Sequence, residues 1–424
     1  MSVTSSFYSG LSGLDTHATA MRVIGDNIAN LHTTGFKSST VHFADVLGVS
    51  LTGVSGGNQT GAGVRVSSVD ANFIQGSLMT TDVATDVAVN GKGFFVVQDP
   101  LTEEMFYTRA GHFQVDNRGY FVNTQGYRVQ GYLYDPTGSN LIESLSAIQI
   151  NQNSMIPPRV SSLVNMVLNL DASESALTWD INNPAGTSHF STALNIYDSL
   201  GQSHQIRVYF TKTDAQTWEW NSVIDGADVQ GGTPGTLVSY GTGTVTFDSN
   251  GQLSTGMPMN FYVRPSSGDI VFANGLTAPA TEVDFTGTSQ YGSPSAIQVL
   301  VQDGYAAGTV SGVSIDDEGN IVASYTNGTR RRIACLALAD FPNLNGLARK
   351  GGNLFHATTT SGDPLYNRSG VGGMGTICSS MLEESNVDMA AEFIKMIIIQ
   401  RGYQANTKVI TTTDEMLAQL INIR

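Results

Sequence analysis

The feature that most constrains this chain is a heptad stripe at each end. From Phe7, apolar or small residues recur at Leu11, Leu14, Ala18, Met21, Gly25 and Ile28, spaced alternately by four and three. That spacing is the seam of a helix that packs lengthwise on another helix. Near the other end Met389, Met396, Tyr403, Ile410 and Leu417 form one seven-residue column. Its companion column, Phe393, Gln400, Thr407, Asp414 and Ile421, mixes apolar with polar side chains. Glu383, Glu384 and Asp388 stand where this second helix is expected to begin, and anions suit the positive end of a helix dipole. Two ordinary amphipathic helices lying on a globular core would show a broader stripe. Narrow seams at opposite extremes of the chain point instead to an end-to-end helical pair, or to a seam for other copies of the chain.

Inside these ends the chain changes character. Glycines cluster at Gly48, Gly53, Gly56, Gly57, Gly61 and Gly63, and again at Gly362, Gly370, Gly372, Gly373 and Gly375. Both stretches read as connectors with some extended structure. With 46 glycines in 424 residues and only 13% charged residues, the middle reads as β-structure with many tight turns. Asp followed three residues later by Gly recurs at Asp116/Gly119, Asp135/Gly138, Asp198/Gly201, Asp248/Gly251 and Asp316/Gly319. That pattern suits a type I turn closed by a left-handed Gly, so antiparallel hairpins are expected, flanked by strands such as 205–211, 244–247 and 320–325. A calcium loop does not fit, because its spaced acids and distant Glu are missing. Pro157-Pro158 and a second break at Gly292 to Pro294 bracket a block holding all three tryptophans, Trp179, Trp218 and Trp220. The expected fold is mainly β with α-helical termini. Residues 1–30 with 385–424 form a coiled-coil-like helical core domain, and 31–70 with 355–384 a Gly-rich connector. Residues 71–156 with 301–354 form an inner antiparallel β-domain, and 157–300 an outer one inserted into it.

Several function classes are disfavoured by charge and motif. A net charge of −15 argues against nucleic acid and against an anionic membrane surface. No apolar run reaches the roughly 18 residues of a membrane span. The first basic side chain is Arg22, and no secretory signal pattern follows Met1, so a cytosolic chain or one exported by another route is expected. Two cysteines, Cys335 and Cys378, rule out a disulfide scaffold. Cys335 lies in an apolar run and reads as a buried thiol, with a Cys335–Cys378 bridge as the alternative. Residues Gly370 to Gly375 match G-x-G-x-x-G, but no apolar strand precedes them and no βαβ unit surrounds them. Residues Gly53 to Gly57 match G-x-S-x-G outside any strand–turn–helix context. The seven histidines, His17, His32, His42, His112, His189, His204 and His356, show no metal-ligand spacing and read as surface or turn residues. On a strand, Arg330 and Arg332 of the run Arg330-Arg331-Arg332 would share one face, as a solvated patch or as partners of an acidic neighbouring copy. Nothing assembles a nucleophile, a base and an electrophile, so no enzyme, cofactor or metal is expected.

The terminal blocks resemble a known family. Ser9-Gly10-Leu11-Ser12-Gly13-Leu14, Gly25-Asp26-Asn27-Ile28-Ala29-Asn30 and Thr34-Gly35-Phe36-Lys37 are similar to the N-terminal signature of bacterial flagellar rod and hook proteins. Phe73-Ile74-Gln75-Gly76, Val89-Asn90-Gly91-Lys92-Gly93-Phe94-Phe95 and Tyr107-Thr108-Arg109-Ala110-Gly111-His112-Phe113 resemble its next blocks, with His112 a mild departure. Leu382-Glu383-Glu384-Ser385-Asn386-Val387-Asp388 and Gln400-Arg401-Gly402-Tyr403-Gln404-Ala405-Asn406 resemble its C-terminal signature. Within the family the large inserted block, with Tyr197-Asp198-Ser199-Leu200-Gly201, resembles the hook branch rather than the shorter rod proteins.

The resemblance implies a structural subunit that self-assembles into the flexible tubular hook, transmits torque, and leaves the cell through the type III export apparatus. It implies as partners other copies of the chain, the distal rod protein, the hook–filament junction protein, the hook cap and the hook-length control protein, with no nucleic acid and no membrane insertion. The assembly residues expected are Phe7, Leu11, Leu14, Ala18, Met21, Ile28, Met389, Phe393, Met396, Tyr403, Ile410, Leu417 and Ile421. The alternatives are a distal rod subunit, or a secreted β-rich binding module or adhesin.

Overall fold

The run Phe94-Phe95-Val96-Val97 is apolar at every position because both faces of its strand are covered. Phe95 and Val97 point into one core with Val89, Phe113, Phe121 and Ile148, while Phe94 and Val96 point into another with Tyr107, Phe341 and Phe355. A strand buried on one side only would alternate apolar with polar residues. This strand, Phe94–Gln98, lies centrally in a sheet ordered Asn320–Tyr325, Arg330–Leu336, Arg128–Tyr134, Phe94–Gln98, Met105–Thr108, Leu354–His356, Ala348–Gly351.

The computed structural model describes residues 3–51, 58–151, 155–254, 260–263, 270–279 and 281–422. The chain forms two compact units. One comprises Met1–Gln152, Gly312–Ser324 and Arg330–Arg424, and holds both termini; the other comprises Asn153–Ser311 and Tyr325–Thr329. In the second unit a four-stranded antiparallel sheet, Phe190–Tyr197, Ser203–Asp214, Thr217–Asp225 and Leu237–Thr246, shares a core with a five-stranded sheet built on Leu163–Asp171. Val164, Met166 and Leu168 of the latter meet Ile196, Phe210 and Trp220 of the former. The five-stranded sheet is mixed: Leu163–Asp171 runs parallel to Thr281–Asp284 and Ser289–Tyr291 and antiparallel to Ala296–Gln302.

All five Asp-x-x-Gly turns form. In each the Gly N–H donates to the Asp carbonyl at 2.9–3.1 Å, and the Gly φ lies between 74° and 83°. Each Asp carboxylate also accepts at least two backbone N–H groups further round the turn; for Asp248 these are Asn250 at 2.8 Å and Gln252 at 2.9 Å.

The described parts of the two Gly-rich stretches carry backbone pairing. Ser39–Leu51 pairs antiparallel with Asn58–Ala71. Gly370 to Gly375 close a turn, with Gly370 N donating to Gly375 O at 3.0 Å, and Gly375 N donates to Lys92 O at 2.7 Å. The glycines permit close packing there, since a Cβ on Gly375 would collide with the Asn90 carbonyl. The 53–57 motif lies outside the described residues. Cys335 and Cys378 are free thiols, and burial pushes Cys335 up to about 11. His204 departs from the surface expectation. It is buried and stacked on Phe272 with ring centroids 3.6 Å apart, since an imidazole can give its face to an aromatic while its edge meets Asp198. Arg330 is exposed, Arg331 half-buried and Arg332 exposed, the alternation expected of a strand.

Candidate functional site: the paired terminal segments

The N-terminal helix, Val3–Ala29, and the C-terminal helix, Met389–Asn422, pack antiparallel in the same unit. A Cβ on Gly10 would lie 3.1 Å from Ile410 Cγ1, one on Gly13 2.6 Å from Asn406 Nδ2, and one on Gly402 2.9 Å from the His17 ring. The backbones approach closely because three glycines stand at the crossing. Further along, Asn27 Nδ2 donates to Glu392 Oε2 at 3.2 Å. Asp388 caps the C-terminal helix, accepting from Ala390 N at 2.8 Å and Ala391 N at 3.1 Å.

The contact face on the N-terminal helix is Gly10, Gly13, Thr16, Ala20, Ile24 and Asn27, all buried. It keeps the expected period but sits beside the expected stripe. Phe7 is 37% and Leu11 48% exposed, while Leu14, Ala18, Met21 and Ile28 are half-buried. On the C-terminal helix Met396, Ile410 and Leu417 are half-buried, whereas Met389, Phe393 and Tyr403 are exposed. The companion column on the inner face is Glu392, Ile399, Asn406 and Thr413, one residue before the expected Phe393 column. Ile421 lies in the helix, but its side chain is outside the described residues. Glycine, asparagine and threonine carry this crossing, and an apolar count passes over all three.

Glu383 and Glu384 do not cap the helix. Glu383 ends the strand Met381–Glu383, which pairs with Leu78–Thr80, and it is 0% exposed. Its Oε1 accepts from Lys37 Nζ at 2.5 Å and from Gly76 N at 2.9 Å. Its Oε2 accepts from Arg109 Nη1 at 3.3 Å, and its carbonyl accepts from Gly35 N at 2.7 Å. Lys37 also donates to Ile74 O at 2.8 Å, and Arg109 Nη2 to Gly91 O at 2.7 Å. Burial pushes both the Lys37 ammonium and the Arg109 guanidinium below their usual ranges, against the pull of Glu383. Asn386 adds two clamps: its Oδ1 accepts from Ser38 N at 2.8 Å and its Nδ2 donates to Asn72 O at 2.7 Å. Asn27 Oδ1 accepts from Ser39 N at 2.8 Å. The motifs around Asn27, Gly35 to Lys37, Gly76, Gly91, Arg109 and Glu383 to Asn386 thus meet at the base of the helix pair, while Ser9 to Leu14 and Gln400 to Asn406 meet at the crossing. The sequence presented them as separate blocks, and only their shared resemblance hinted that they act together.

This chain is similar to curated flagellar hook proteins over its full length. It is 35% identical to flagellar hook protein FlgE of Treponema pallidum, covering 99% of each chain. It is 32% identical to that of Escherichia coli, covering 99% of this chain and 100% of the relative. The chain belongs to the flagellar hook protein FlgE family. Four family models match in order: flagella basal body rod protein at 7–37, the FlgE/F/G D1 domain at 88–163, the FlaE D2 domain at 169–305 and the FlgEFG C-terminal model at 379–423. The fold is also that of the crystal structure of Helicobacter pylori flagellar hook protein FlgE2, with TM-score 0.50 and 18% identity over 72% of this chain and 100% of that one. As a member of the FlgE family the chain is a structural subunit of the flagellar hook. The rod and adhesin alternatives are not favoured by these relatives. Among the described residues no helix is long and apolar enough to cross a membrane, and no cluster of His, Cys, Asp and Glu could hold a metal ion.

Proposed function

We propose that this subunit polymerises through its paired terminal helices into the flexible tube that joins rod to filament. One observation carries the reading. The helices already meet along one face, yet a second apolar face stays in water: Tyr8 and Leu11 on one helix, Phe393, Ile394, Ile397 and Ile398 on the other, with Ile398 62% exposed. Phe393, Ile394, Ile397 and Ile398 stand next to one another on the C-terminal helix, and an exposed apolar cluster of this kind marks a protein contact. A heterologous contact between copies that does not close makes an open helical filament.

In this reading the thirteen expected assembly residues divide by role. Met396, Ile410 and Leu417 hold the helix pair within one chain. Phe7, Leu11, Met389, Phe393 and Tyr403 face neighbouring copies, and Leu14, Ala18, Met21 and Ile28 border both. Ile421 is assigned to the same assembly surface from its heptad position. The helical domain, 1–30 with 385–424, lines the tube, and the β-domains, 71–156 with 301–354 and 157–300, face outward. Its partners are other copies, the distal rod protein, the hook–filament junction protein, the hook cap, the hook-length control protein and the type III export apparatus, which delivers it outside the cell. Catalysis, cofactors, metals, nucleic acid and membrane insertion have no part in it. Electron microscopy of purified protein under polymerising conditions tests it. Tubes from the native chain and none from Ile398→Asp are expected; native chains that stay monomeric, or unimpaired tubes from the variant, refute it.

A further inference from the structure

In the second unit the segment 172–189 joins Leu163–Asp171 to Phe190–Tyr197, and among the described residues none of its side chains enters the core. Ser173 to Thr178 are all exposed. The segment is nonetheless folded on itself. Asp180 Oδ1 accepts from Asn182 N at 2.9 Å, Asp180 N donates to Thr187 Oγ1 at 3.1 Å, and Gly186 N donates to Asn183 O at 3.2 Å. It reaches the outer face of the four-stranded sheet. There the half-buried Trp179 ring lies 5.2 Å from the ring of Tyr209, which points away from the core that Val208 and Phe210 fill.

Its attachment gathers at Lys212, which is 6% exposed. The Lys212 ammonium donates to Ala172 O at 2.6 Å and to Glu174 O at 3.0 Å. Its carbonyl accepts from Leu177 N at 2.8 Å, and its N–H donates to His189 Nδ1 at 3.1 Å. Beside it Thr211 Oγ1 donates to Thr187 O at 2.8 Å, and Phe210 O accepts from His189 N at 2.9 Å. Hydrogen bonds from the Ser173 hydroxyl and amide, helped by the Lys212 charge, hold the Asp171 carboxyl below its usual range. A buried ammonium without acceptors is strongly unfavourable. Both acceptors of this one belong to the segment, so Lys212 is satisfied in the interior only while the segment is closed.

We infer that residues 172–189 are a strap that opens as one piece while the second unit stays folded, and that Lys212 is the positioning residue that closes it. A segment with few buried apolar contacts opens at a free energy well below that of global unfolding. Opening passes the Lys212 ammonium to water, which replaces both carbonyls, and uncovers Tyr209, 8% exposed beneath the strap. The strap is thus a lid built into the outer face of this sheet. It belongs to the single chain and rests neither on the terminal helices nor on how copies meet.

Amine acetylation of the full-length chain with the N-hydroxysuccinimide ester of acetic acid tests it, read by mass spectrometry at Lys212 with exposed Lys92 as reference. In the native chain Lys212 is expected to react at least tenfold more slowly than Lys92, but at urea concentrations where the Trp218 and Trp220 core is still folded. Trp179→Ala is expected to speed the Lys212 reaction at least tenfold and leave Lys92 unchanged. In Lys212→Met the Leu177 amide is expected to exchange at least tenfold faster, with the Ile206 amide of the same sheet unchanged, and Lys212→Arg to recover part of that protection. A native Lys212 that reacts only as the core melts would overturn the inference. So would a Lys212 reaction indifferent to Trp179→Ala, or equal acceleration at Leu177 and Ile206, since the segment would then be part of the core.

Discussion

Gly111 has no room for a side chain: a Cβ there would collide with the Val87 carbonyl, while Val87 N donates to Gly111 O at 3.0 Å. Gly111→Ala should therefore lower the stability of its unit by about 3 kcal/mol, seen as a lower urea midpoint. Gly126 differs in kind. Nothing lies near its absent Cβ, but its φ is 86°, so Gly126→Ala should cost only about 1 kcal/mol of backbone strain. The turn aspartates carry a pH signature. Burial raises the Asp198 pKa, but hydrogen bonds from Gln202, Asn274, His204 and Leu200 outweigh it and hold the carboxyl below its usual range. At Asp248 the backbone N–H of Gln252 leads the same effect. A carboxyl depressed on folding stabilises fully above its unfolded value of about 3.9, and that stability is lost as pH falls through the folded value. Urea midpoints for the second unit should drop on acidification below about pH 4, and Asp198→Asn should flatten that drop. An equal acid slope in the variant would show that Asp198 contributes nothing to it.

Helices that cross on glycine are sensitive to bulk. Gly13→Leu would push against Asn406, and Gly10→Leu against Ile410. Either change should separate the helix pair, measured as faster amide exchange across both helices, with the β-cores unaffected. Ile410→Asp should do the same by placing a charge in the crossing, which costs several kcal/mol unless paired. Ile398→Asp should leave the pair intact and abolish only polymerisation, because Ile398 faces water in the single chain. Loss of both properties in Ile398→Asp would show that the two faces are one. The seven-residue period was legible in the sequence at both ends. Which column faces inward was not, because Gly10, Gly13, Asn27 and Asn406 are small or polar, and their fitness for a crossing depends on the partner backbone opposite them.

The two units have separate cores, one around Phe95 and Phe113, the other around Trp218, Trp220 and Phe210. Independent cores predict two unfolding transitions in calorimetry. Removal of residues 1–30 or 386–424 should leave the β-cores folded and end polymerisation; polymers from either shortened chain would sink the helical-seam reading. The inserted block 157–300 is predicted to govern bending of the tube. It carries few charges and many Ser and Thr side chains, which favour wet, exchangeable contacts over fixed ion pairs. Deleting it and rejoining the flanking strands should give a straight, stiff tube under the electron microscope. A tube with unchanged curvature and flexibility would show the insert to be passive.

Turn chemistry and periodicity are local, so the five Asp-x-x-Gly turns, the helical ends and the β-rich middle are determined within a few residues of where they occur. Pro157-Pro158 and the tryptophan block, from which an inserted 157–300 domain is expected, fall in the stretch Asn153–Ser311 of the second compact unit. Other features depended on residues far apart in the chain. Whether Glu383 begins a helix or neutralises two buried cations depends on Lys37 and Arg109 arriving beside it, and no local pattern encodes that meeting. The parallel pairing of Leu163–Asp171 with Thr281–Asp284 is equally invisible locally, because a strand's neighbours are chosen by the shared core and not by its own alternation. Glu383 was read from its neighbours as a helix-end anion, and the fold made it the carboxylate on which the base of the helix pair closes, because a buried cation must have a counter-charge wherever the chain can bring one.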